Sequence, residues 1–260
     1  MKDAMEKILI VSPRDIKRAA ALGMPFAHLC YSLSAEGNLT RHAQGPATRG
    51  GHMVLTAEHG RGNGLKAEKL FGEVLRECSA MDYRGILCDF TGSPDSGLIE
   101  FARTLASRGP SAMPRRRYEV YLPEIYADAV PEGRVLIPSS LSGGSLALRL
   151  SEASSRYGGS ERVALLCEVM RHIFTLPDPD GVGRELNRAE LSALITKHRA
   201  MPQFSRELCA HYFTCREDPG GHNFVLFDDA HSIGRKCEIA LEQGVHTAFL
   251  LYAEIADLGV

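Results

Sequence analysis

The sequence predicts an α/β protein, most simply one (β/α)8 barrel, and three observations support this fold class. Short apolar, β-rich runs alternate with amphipathic stretches, a pattern typical of parallel strands joined by helices. The length of 260 residues is common for one such barrel. No change in composition marks a boundary along the chain, so we expect a single barrel domain over residues 1–260.

The β-rich runs number nine, so one of them is expected to lie outside an eight-stranded barrel. They cover residues 7–12, 26–34, 52–57, 85–90, 118–123, 134–138, 162–169, 223–227 and 246–252. The helical stretches carry apolar residues at three- and four-residue spacing, the period of a helix with one buried face. They cover residues 14–22, 65–81, 96–107, 146–156, 188–198 and 233–243.

Glycines and one capping pattern mark the ends of several predicted helices. Gly23, Gly109, Gly158 and Gly244 each follow a helical stretch, where glycine readily adopts the left-handed conformation that ends a helix. Asn187 precedes a stretch with glutamate at its third helical position, which predicts an N-cap. These signals support the predicted boundaries.

The charge balance and the cysteines indicate the partners and the compartment. Thirty basic and 32 acidic residues give a formal charge of −2, so no global positive field is available to hold nucleic acid or an anionic membrane. The apolar run at residues 8–11 is too short for a signal peptide or a membrane span. Seven cysteines without a CxxC pair predict free thiols. We therefore expect a cytoplasmic protein that binds neither nucleic acid nor membrane.

Three segments, in order along the chain, carry a family pattern. Residues 26–39, FAHLCYSLSAEGNL, combine an apolar strand, an aromatic residue and a short turn. Residues 71–90, FGEVLRECSAMDYRGILCDF, pass from a helix into a strand. Residues 211–258 contain FDDAHSIGRK before a last strand. Together these segments resemble glycoside hydrolase family 18, the chitinase-like TIM barrels, in the spore-germination and cortex-lytic branch. The resemblance implies a ligand groove at the C-terminal ends of the strands.

The resemblance also implies where the family's catalytic motif, DxDxE, would fall. Its two aspartates correspond to Leu87 and Asp89, and its catalytic glutamate corresponds to Thr91. In the family that glutamate protonates the glycosidic oxygen, while the neighbouring aspartate orients the substrate acetamide that attacks the anomeric carbon. A threonine hydroxyl cannot donate this proton at neutral pH. The resemblance therefore implies that acetamide-assisted hydrolysis is lost.

Other residues near predicted strand ends are candidates for a site. The candidate catalytic carboxylates are Asp89, Glu58 and Glu124. An aspartate inside an apolar strand is destabilising unless it has a partner or serves a site, which favours Asp89. Sugar rings stack on aromatic faces, and the chain contains no tryptophan, so tyrosines would have to serve. The candidate substrate-binding residues are Tyr31, Thr91, Tyr126, Asp228, Tyr252 and Glu254.

No cofactor and no metal is expected from the sequence. Cys209, His211 and Cys215 lie close together, with His222 and His231 downstream, but their spacing matches no common zinc module. Neither the GxxxxGK[ST] phosphate loop nor the GxGxxG pattern occurs.

Three functions agree with these residues. The first is a degenerate family-18-like protein, a pseudoenzyme that binds a saccharide or other small molecule in the barrel mouth, or a protein partner, without classical hydrolysis. The second is an active glycoside hydrolase that has rebuilt its acid from another carboxylate around Asp89. The third is a barrel enzyme of other chemistry that uses His28, Cys30 or His59 at strand ends.

Overall fold

The computed structural model describes residues 4–34, 37–42, 48–57, 65–114, 118–176, 183–217 and 221–259. In chain order its strands are β1 (Glu6–Val11), β2 (Phe26–Leu33), β3 (Leu39–Arg41), β4 (His52–Ala57), β5 (Gly85–Phe90), β6 (Glu119–Pro123), β7 (Arg134–Pro138), β8 (Val163–Cys167), β9 (Arg171–Leu176), β10 (Arg184–Glu185), β11 (Gln203–Ser205), β12 (Ala210–Glu217), β13 (Gly221–Phe227) and β14 (Thr247–Leu251). Its α-helices are α1 (Ile16–Ala19), α2 (Ala67–Met81), α3 (Ser96–Ala112), α4 (Leu146–Tyr157), α5 (Arg188–His198), α6 (Ala230–Glu242) and α7 (Tyr252–Ile255).

Eight parallel strands close into a barrel, as the alternating pattern predicts. Their order around the barrel is β1, β2, β4, β5, β6, β7, β8 and β14, and β1 closes the ring by pairing with both β2 and β14. The short β3 adds to β2 in antiparallel orientation. The predicted (β/α)8 fold class is therefore confirmed.

The interior of the barrel is filled by apolar side chains from alternate strand positions, as expected for a packed barrel core. These residues are Ile8, Ile10, Ala27, Val54, Leu87, Tyr121, Leu136, Ala164 and Phe249. One histidine joins them: the His52 ring lies 5.7 Å from the rings of both Tyr121 and Phe249. This packing fills the middle of the barrel below the C-terminal ends of its strands.

A second sheet, antiparallel and five-stranded, is inserted between β8 and α6. Its strand order is β10, β9, β13, β12 and β11, and α5 packs on it through Leu191. The predicted run at 223–227 belongs to this sheet, so it is the expected strand outside the barrel. The nine predicted runs leave out the four other strands, because the runs follow continuous apolar stretches and segments such as Ala210–Glu217 contain polar residues among the apolar ones.

The predicted helix caps are correct with one exception. Gly23, Gly158 and Gly244 have positive φ angles of 66°, 86° and 76°. Gly109, in contrast, lies inside α3, which continues to Ala112. A Cβ at position 109 would come within 2.2 Å of the ring of Tyr118, so this glycine permits close packing instead of ending a helix.

The N-cap of α5 and the cysteines agree with the sequence. The Asn187 side chain accepts a hydrogen bond from the backbone N–H of Glu190, and the Glu190 side chain accepts one from the N–H of Asn187. All seven cysteines are free thiols, and the sulfurs of Cys167 and Cys237 lie 3.8 Å apart. Within the part of the chain that the structure describes, no helix has the length and apolar character needed to cross a membrane.

Candidate functional site

A cavity of about 490 Å³ opens at the C-terminal ends of the barrel strands. All eight barrel strands, or the residues that directly follow them, contribute to its lining. Its walls are mainly aliphatic and include Ile10, Leu29, Val54, Leu87, Ile125, Leu136, Leu166 and Leu251. Its carboxylates are Asp89, Glu124, Glu168 and Glu254. The cavity is thus an apolar cup with acidic groups, and we call it the mouth.

Asp89 is the acidic side chain that the barrel itself presents to the mouth. It is the fifth residue of β5 and shares the inward face with Leu87, while Cys88 and Phe90 are buried against the outer helices. Asp89 is exposed within the cavity, where loss of hydration raises the pKa of its carboxyl.

A row of polar residues on adjacent strands leads to Asp89. Ser32 of β2 pairs with Thr56 of β4, which pairs with Asp89 of β5. Paired residues of parallel strands point to the same side of a sheet, so all three belong to the mouth face. The Thr56 hydroxyl donates to the Tyr31 carbonyl at 3.2 Å, and the Ser32 hydroxyl contacts His42. Sequence reasoning did not identify Ser32 or Thr56, because neither residue type is distinctive at the end of a strand.

Thr91, a predicted substrate-binding residue, is not among the residues that line the mouth. It follows β5 and is exposed. Its backbone N–H donates to the carbonyl of Ala57 at 3.0 Å, and its hydroxyl reaches the same oxygen at 3.5 Å. Thr91 therefore offers a hydrogen-bonding hydroxyl and no acidic proton.

Glu124 lines the mouth but is held by two partners. One carboxylate oxygen forms an ion pair with Arg149, and the other accepts a hydrogen bond from the Tyr157 hydroxyl at 3.0 Å. Because both oxygens of Glu124 are engaged, this carboxylate serves a structural role: it fixes the segment after β6 to α4.

Glu168 and Glu254 lie on the other side of the mouth, after β8 and β14. Glu254 accepts a hydrogen bond from the backbone N–H of Val169 at 2.9 Å. Burial raises the pKa of Glu254, the charge of Glu168 adds to this effect, and the Val169 N–H opposes it. Glu168 itself accepts a hydrogen bond from Ser140. These two carboxylates follow neighbouring strands, and the charge of Glu168 acts on Glu254 on one side of the mouth.

Sequence reasoning missed Glu168, although a signal was present. The residue follows the buried run of β8, as Asp89 lies near the end of β5. The predicted strand extended to residue 169 and so placed Glu168 inside it. In the structure β8 ends at Cys167, and Glu168 becomes a residue of the mouth.

The structure places Tyr31 away from the mouth, contrary to its expected role on a sugar ring. The register of β2 against β4 shifts between Leu29 and Tyr31, a β-bulge that moves the following side chains to the opposite face. Tyr31 is 1% exposed in the outer core, and its hydroxyl donates to Glu77 at 2.9 Å.

Tyr126 and Tyr252 are also buried outside the barrel. Tyr126 is fully buried with its ring 5.7 Å from that of Phe90, and burial raises its pKa to about 12. Tyr252 begins α7 and packs in the outer core on the side of α4 and α6. Among the described residues the only aromatic side chain at the mouth is Phe90, which is itself buried. The expected tyrosine platform for a sugar is therefore not formed by these three residues.

Asp228 is a buried structural carboxylate, not a residue of the mouth. One oxygen lies 2.6 Å from the Lys236 ammonium and accepts from the backbone N–H of Met170 at 2.9 Å. Its other oxygen accepts from the Ser232 hydroxyl at 2.7 Å. The motif FDDAHSIGRK thus joins the end of β13 to α6 by an ion pair whose two side chains are at most 1% exposed.

Two of the three residues in the alternative barrel chemistry also face outward. His28 is 4% exposed, packs 5.3 Å from the ring of Tyr83 and donates to the carbonyl of Gly50; burial lowers its pKa. Cys30 packs against the same outer core. The third residue, His59, and the candidate acid Glu58 lie outside the described residues.

Comparison with known proteins identifies the fold. No family model matches the chain, and no curated protein matches it in sequence. Among solved structures, the spore cortex-lytic enzyme SleL of Bacillus megaterium is 16% identical with a TM-score of 0.69, covering 96% of this chain and 71% of that chain. A chitinase of Chromobacterium violaceum is 16% identical with a TM-score of 0.69, covering 97% and 96%. A GH18 chitinase of Cycas revoluta in complex with (GlcNAc)3 is 11% identical with a TM-score of 0.63, covering 98% and 96%. The chain therefore has a chitinase-like barrel fold.

Proposed function

We propose that this protein is a degenerate chitinase-like barrel that binds a saccharide in its mouth without acetamide-assisted hydrolysis. The observation that carries the proposal is at the end of β5. The position that corresponds to the family's proton donor is Thr91, whose hydroxyl contacts the Ala57 carbonyl, while Asp89 remains on the mouth face.

Acetamide-assisted cleavage depends on protonation of the leaving group. Acetamide-assisted cleavage needs an acid within hydrogen-bond reach of the glycosidic oxygen, and positioned acids contribute roughly 10²–10⁴ in rate. Thr91 cannot supply this proton. Asp89 does not take its place, because the mechanism still needs a carboxylate to orient the acetamide.

Saccharide binding is supported by the shape and chemistry of the mouth. Carboxylates such as Asp89 and Glu254 accept hydrogen bonds from sugar hydroxyls, and the aliphatic walls can contact the apolar faces of a ring. The complex of the Cycas revoluta chitinase with (GlcNAc)3 shows that the shared fold can hold such an oligomer in that protein. The lack of a stacking aromatic predicts weaker binding than a tyrosine or tryptophan platform would give.

Calorimetric titration with the N-acetylglucosamine trimer tests the binding proposal. We expect saturable binding that weakens about tenfold or more in Asp89→Asn, because a hydrogen bond to a charged acceptor contributes about 1.5–3 kcal/mol. Glu132→Gln, an exposed carboxylate away from the mouth, is the matched control and should bind as the unmodified protein does. Absence of binding at millimolar trimer, or equal binding by both variants, would overturn the saccharide proposal.

A second candidate function is supported by the placement of Glu168 beside Glu254 in the mouth, where burial and the charge of Glu168 raise the pKa of Glu254. Two interacting carboxylates, one of which holds its proton to higher pH, are the arrangement that glycosidases use as acid and base. In this case oligomer cleavage would vanish in Glu254→Gln and persist in Thr91→Ala. The first proposal predicts no cleavage by either variant.

A further inference from the structure

A cluster of two imidazoles and one carboxylate lies outside the mouth, where the second sheet meets the barrel. It consists of His211 on β12, Asp229 directly before α6, and His231 in the first turn of α6. One ligand atom from each side chain lies within 4.8 Å of the others. We propose that these three residues form a binding site for a divalent transition metal, with zinc as the expected ion.

The distances suit zinc with a small movement of one side chain. Nitrogen and oxygen ligands lie 2.0–2.2 Å from zinc, so ligand atoms in a tetrahedral site are separated by about 3.3 Å. The Nε2 atom of His211 and the Oδ2 atom of Asp229 are already 3.1 Å apart. His231 is exposed, so a change of its rotamer can bring its nitrogen closer.

The carboxylate of Asp229 is held with one oxygen directed to the cluster. Its Oδ1 atom accepts a hydrogen bond from the backbone N–H of Ser232 at 2.9 Å, and the Ser232 hydroxyl accepts one from the N–H of Asp229 at 2.9 Å. This reciprocal capping box leaves Oδ2 beside His211. Such outer hydrogen bonds orient ligands in metal sites.

The His211 ring is fixed by aromatic neighbours and lacks a hydrogen bond where the metal would bind. It stacks on Phe227 at 5.6 Å and packs 5.1 Å from Phe204. Its Nε2 atom is buried, makes no hydrogen bond to any described residue and lies 3.1 Å from Oδ2 of Asp229. A buried ring nitrogen without a hydrogen bond is destabilising, and a metal ion shared with the Asp229 carboxylate would satisfy it.

The donor set selects the class of ion. Two imidazole nitrogens and one carboxylate oxygen suit zinc and other late first-row metals, whereas calcium and magnesium prefer oxygen donors. Three protein ligands leave a coordination position for water or for an anionic ligand. His231 is the solvent-facing member, so this open position is accessible.

The position of the cluster gives it a structural consequence for the mouth. It would connect β12 of the second sheet to the start of α6, next to Asp228. Asp228 bonds the backbone of Met170, whose neighbour Val169 donates to Glu254 in the mouth. A bound metal would therefore fasten the segment that carries the acidic side of the mouth.

Metal titration of the full chain, stripped with EDTA and kept reduced, tests the proposal. Calorimetry with zinc chloride should show one equivalent bound, and His231→Ala should lower the affinity at least tenfold. His222→Ala, an exposed histidine of the same sheet outside the cluster, is the matched control and should retain it. Because His231 is exposed, its replacement should not disturb folding, and the variant should have the melting temperature of the unmodified protein without zinc. Addition of zinc should raise the melting temperature by several degrees only when the site is intact.

Cobalt spectroscopy separates this site from binding by the seven cysteines. Cobalt(II) in the proposed site should give d–d absorption without a thiolate charge-transfer band, and the absorption should be lost in His231→Ala. Equal zinc affinity in His231→Ala and His222→Ala, lack of stoichiometric binding, or a strong thiolate band would overturn the proposal.

Discussion

The carboxylates in the mouth differ in their hydrogen-bond and ion-pair partners, and these partners determine which of them can bind a ligand. Glu124 is fixed by Arg149 and Tyr157, whereas Asp89 lies open in the cavity with a raised pKa. Thr91 presents only a hydroxyl. The mouth therefore offers acceptors for ligand hydroxyls at several positions, whereas the Thr91 hydroxyl provides no acidic proton.

Glu254 gives a prediction on pH dependence. Burial raises its folded-state pKa above the ordinary value, so the folded protein binds more protons than the unfolded chain between the two pKa values. The free energy of unfolding should fall as pH rises through that window, by less than about 1 kcal/mol for a half-buried group. Urea unfolding from pH 4 to 7 should show that Glu254→Gln lacks this component. An identical pH dependence in both proteins would contradict the raised pKa.

The Asp228–Lys236 pair gives a prediction on stability. Lys236→Met leaves a buried carboxylate without its cation, which should lower the free energy of unfolding by about 3–5 kcal/mol. Lys69→Met is the control, because the Lys69–Glu73 pair is exposed and should contribute less than about 1 kcal/mol. Urea unfolding measures both. Equal losses in the two variants would show that burial of the pair does not matter.

Elements of the fold set the direction of side chains in ways that sequence periodicity does not show. The pattern of β2 predicts strict alternation, but the bulge after Leu29 turns Tyr31 into the outer core and leaves Ser32 on the mouth face. Likewise, the end of β8 at Cys167 exposes Glu168. The strands were predictable from apolar runs, whereas a one-residue shift of register depends on tertiary packing.

Two helical glycines provide a matched test of how closely their helices pack against neighbouring side chains. Gly109→Ala in α3 should destabilise the protein by about 1–3 kcal/mol, because its Cβ would meet the Tyr118 ring at 2.2 Å. Gly234→Ala in α6 has open space and should stabilise it by about 0.5–1 kcal/mol. Thermal unfolding of both variants measures the difference. Equal stability of the two variants would contradict close packing of position 109 against the Tyr118 ring.

The whole molecule combines a predictable barrel with an insertion that the sequence shows only in part. All eight barrel strands correspond to predicted apolar runs, because strands buried on both faces are continuously apolar. The second sheet contains strands such as Arg171–Leu176, in which polar residues flank a short apolar centre. Asp89 was predictable as an acid in an apolar strand, whereas the cluster of His211, Asp229 and His231 required the pairing of β12 with β13.

The packed barrel core predicts how the whole fold responds to acid. Burial lowers the pKa of His52 to about 3, below the ordinary value of 6.5, so this histidine is neutral in the folded protein. The neutral His52 ring contributes on the order of 3–5 kcal/mol to the free energy of unfolding. This contribution is complete above pH 6.5 and is lost as pH falls toward 3. Urea unfolding at a series of pH values should show a flatter acid limb in His52→Gln than in the exposed control His222→Gln. Parallel curves would contradict a neutral His52.

Oligosaccharide cleavage by the unmodified protein distinguishes a barrel that only binds saccharides from an active glycoside hydrolase. Incubation with N-acetylglucosamine oligomers, followed by product detection, should show no release above the rate in buffer. Thr91→Glu places a carboxylic acid at position 91, and this variant should cleave the oligomers if the rest of the mouth still fits them. Robust cleavage by the unmodified protein that disappears in Asp89→Asn but survives in Thr91→Ala would contradict the account, because another acid would then have replaced the missing donor.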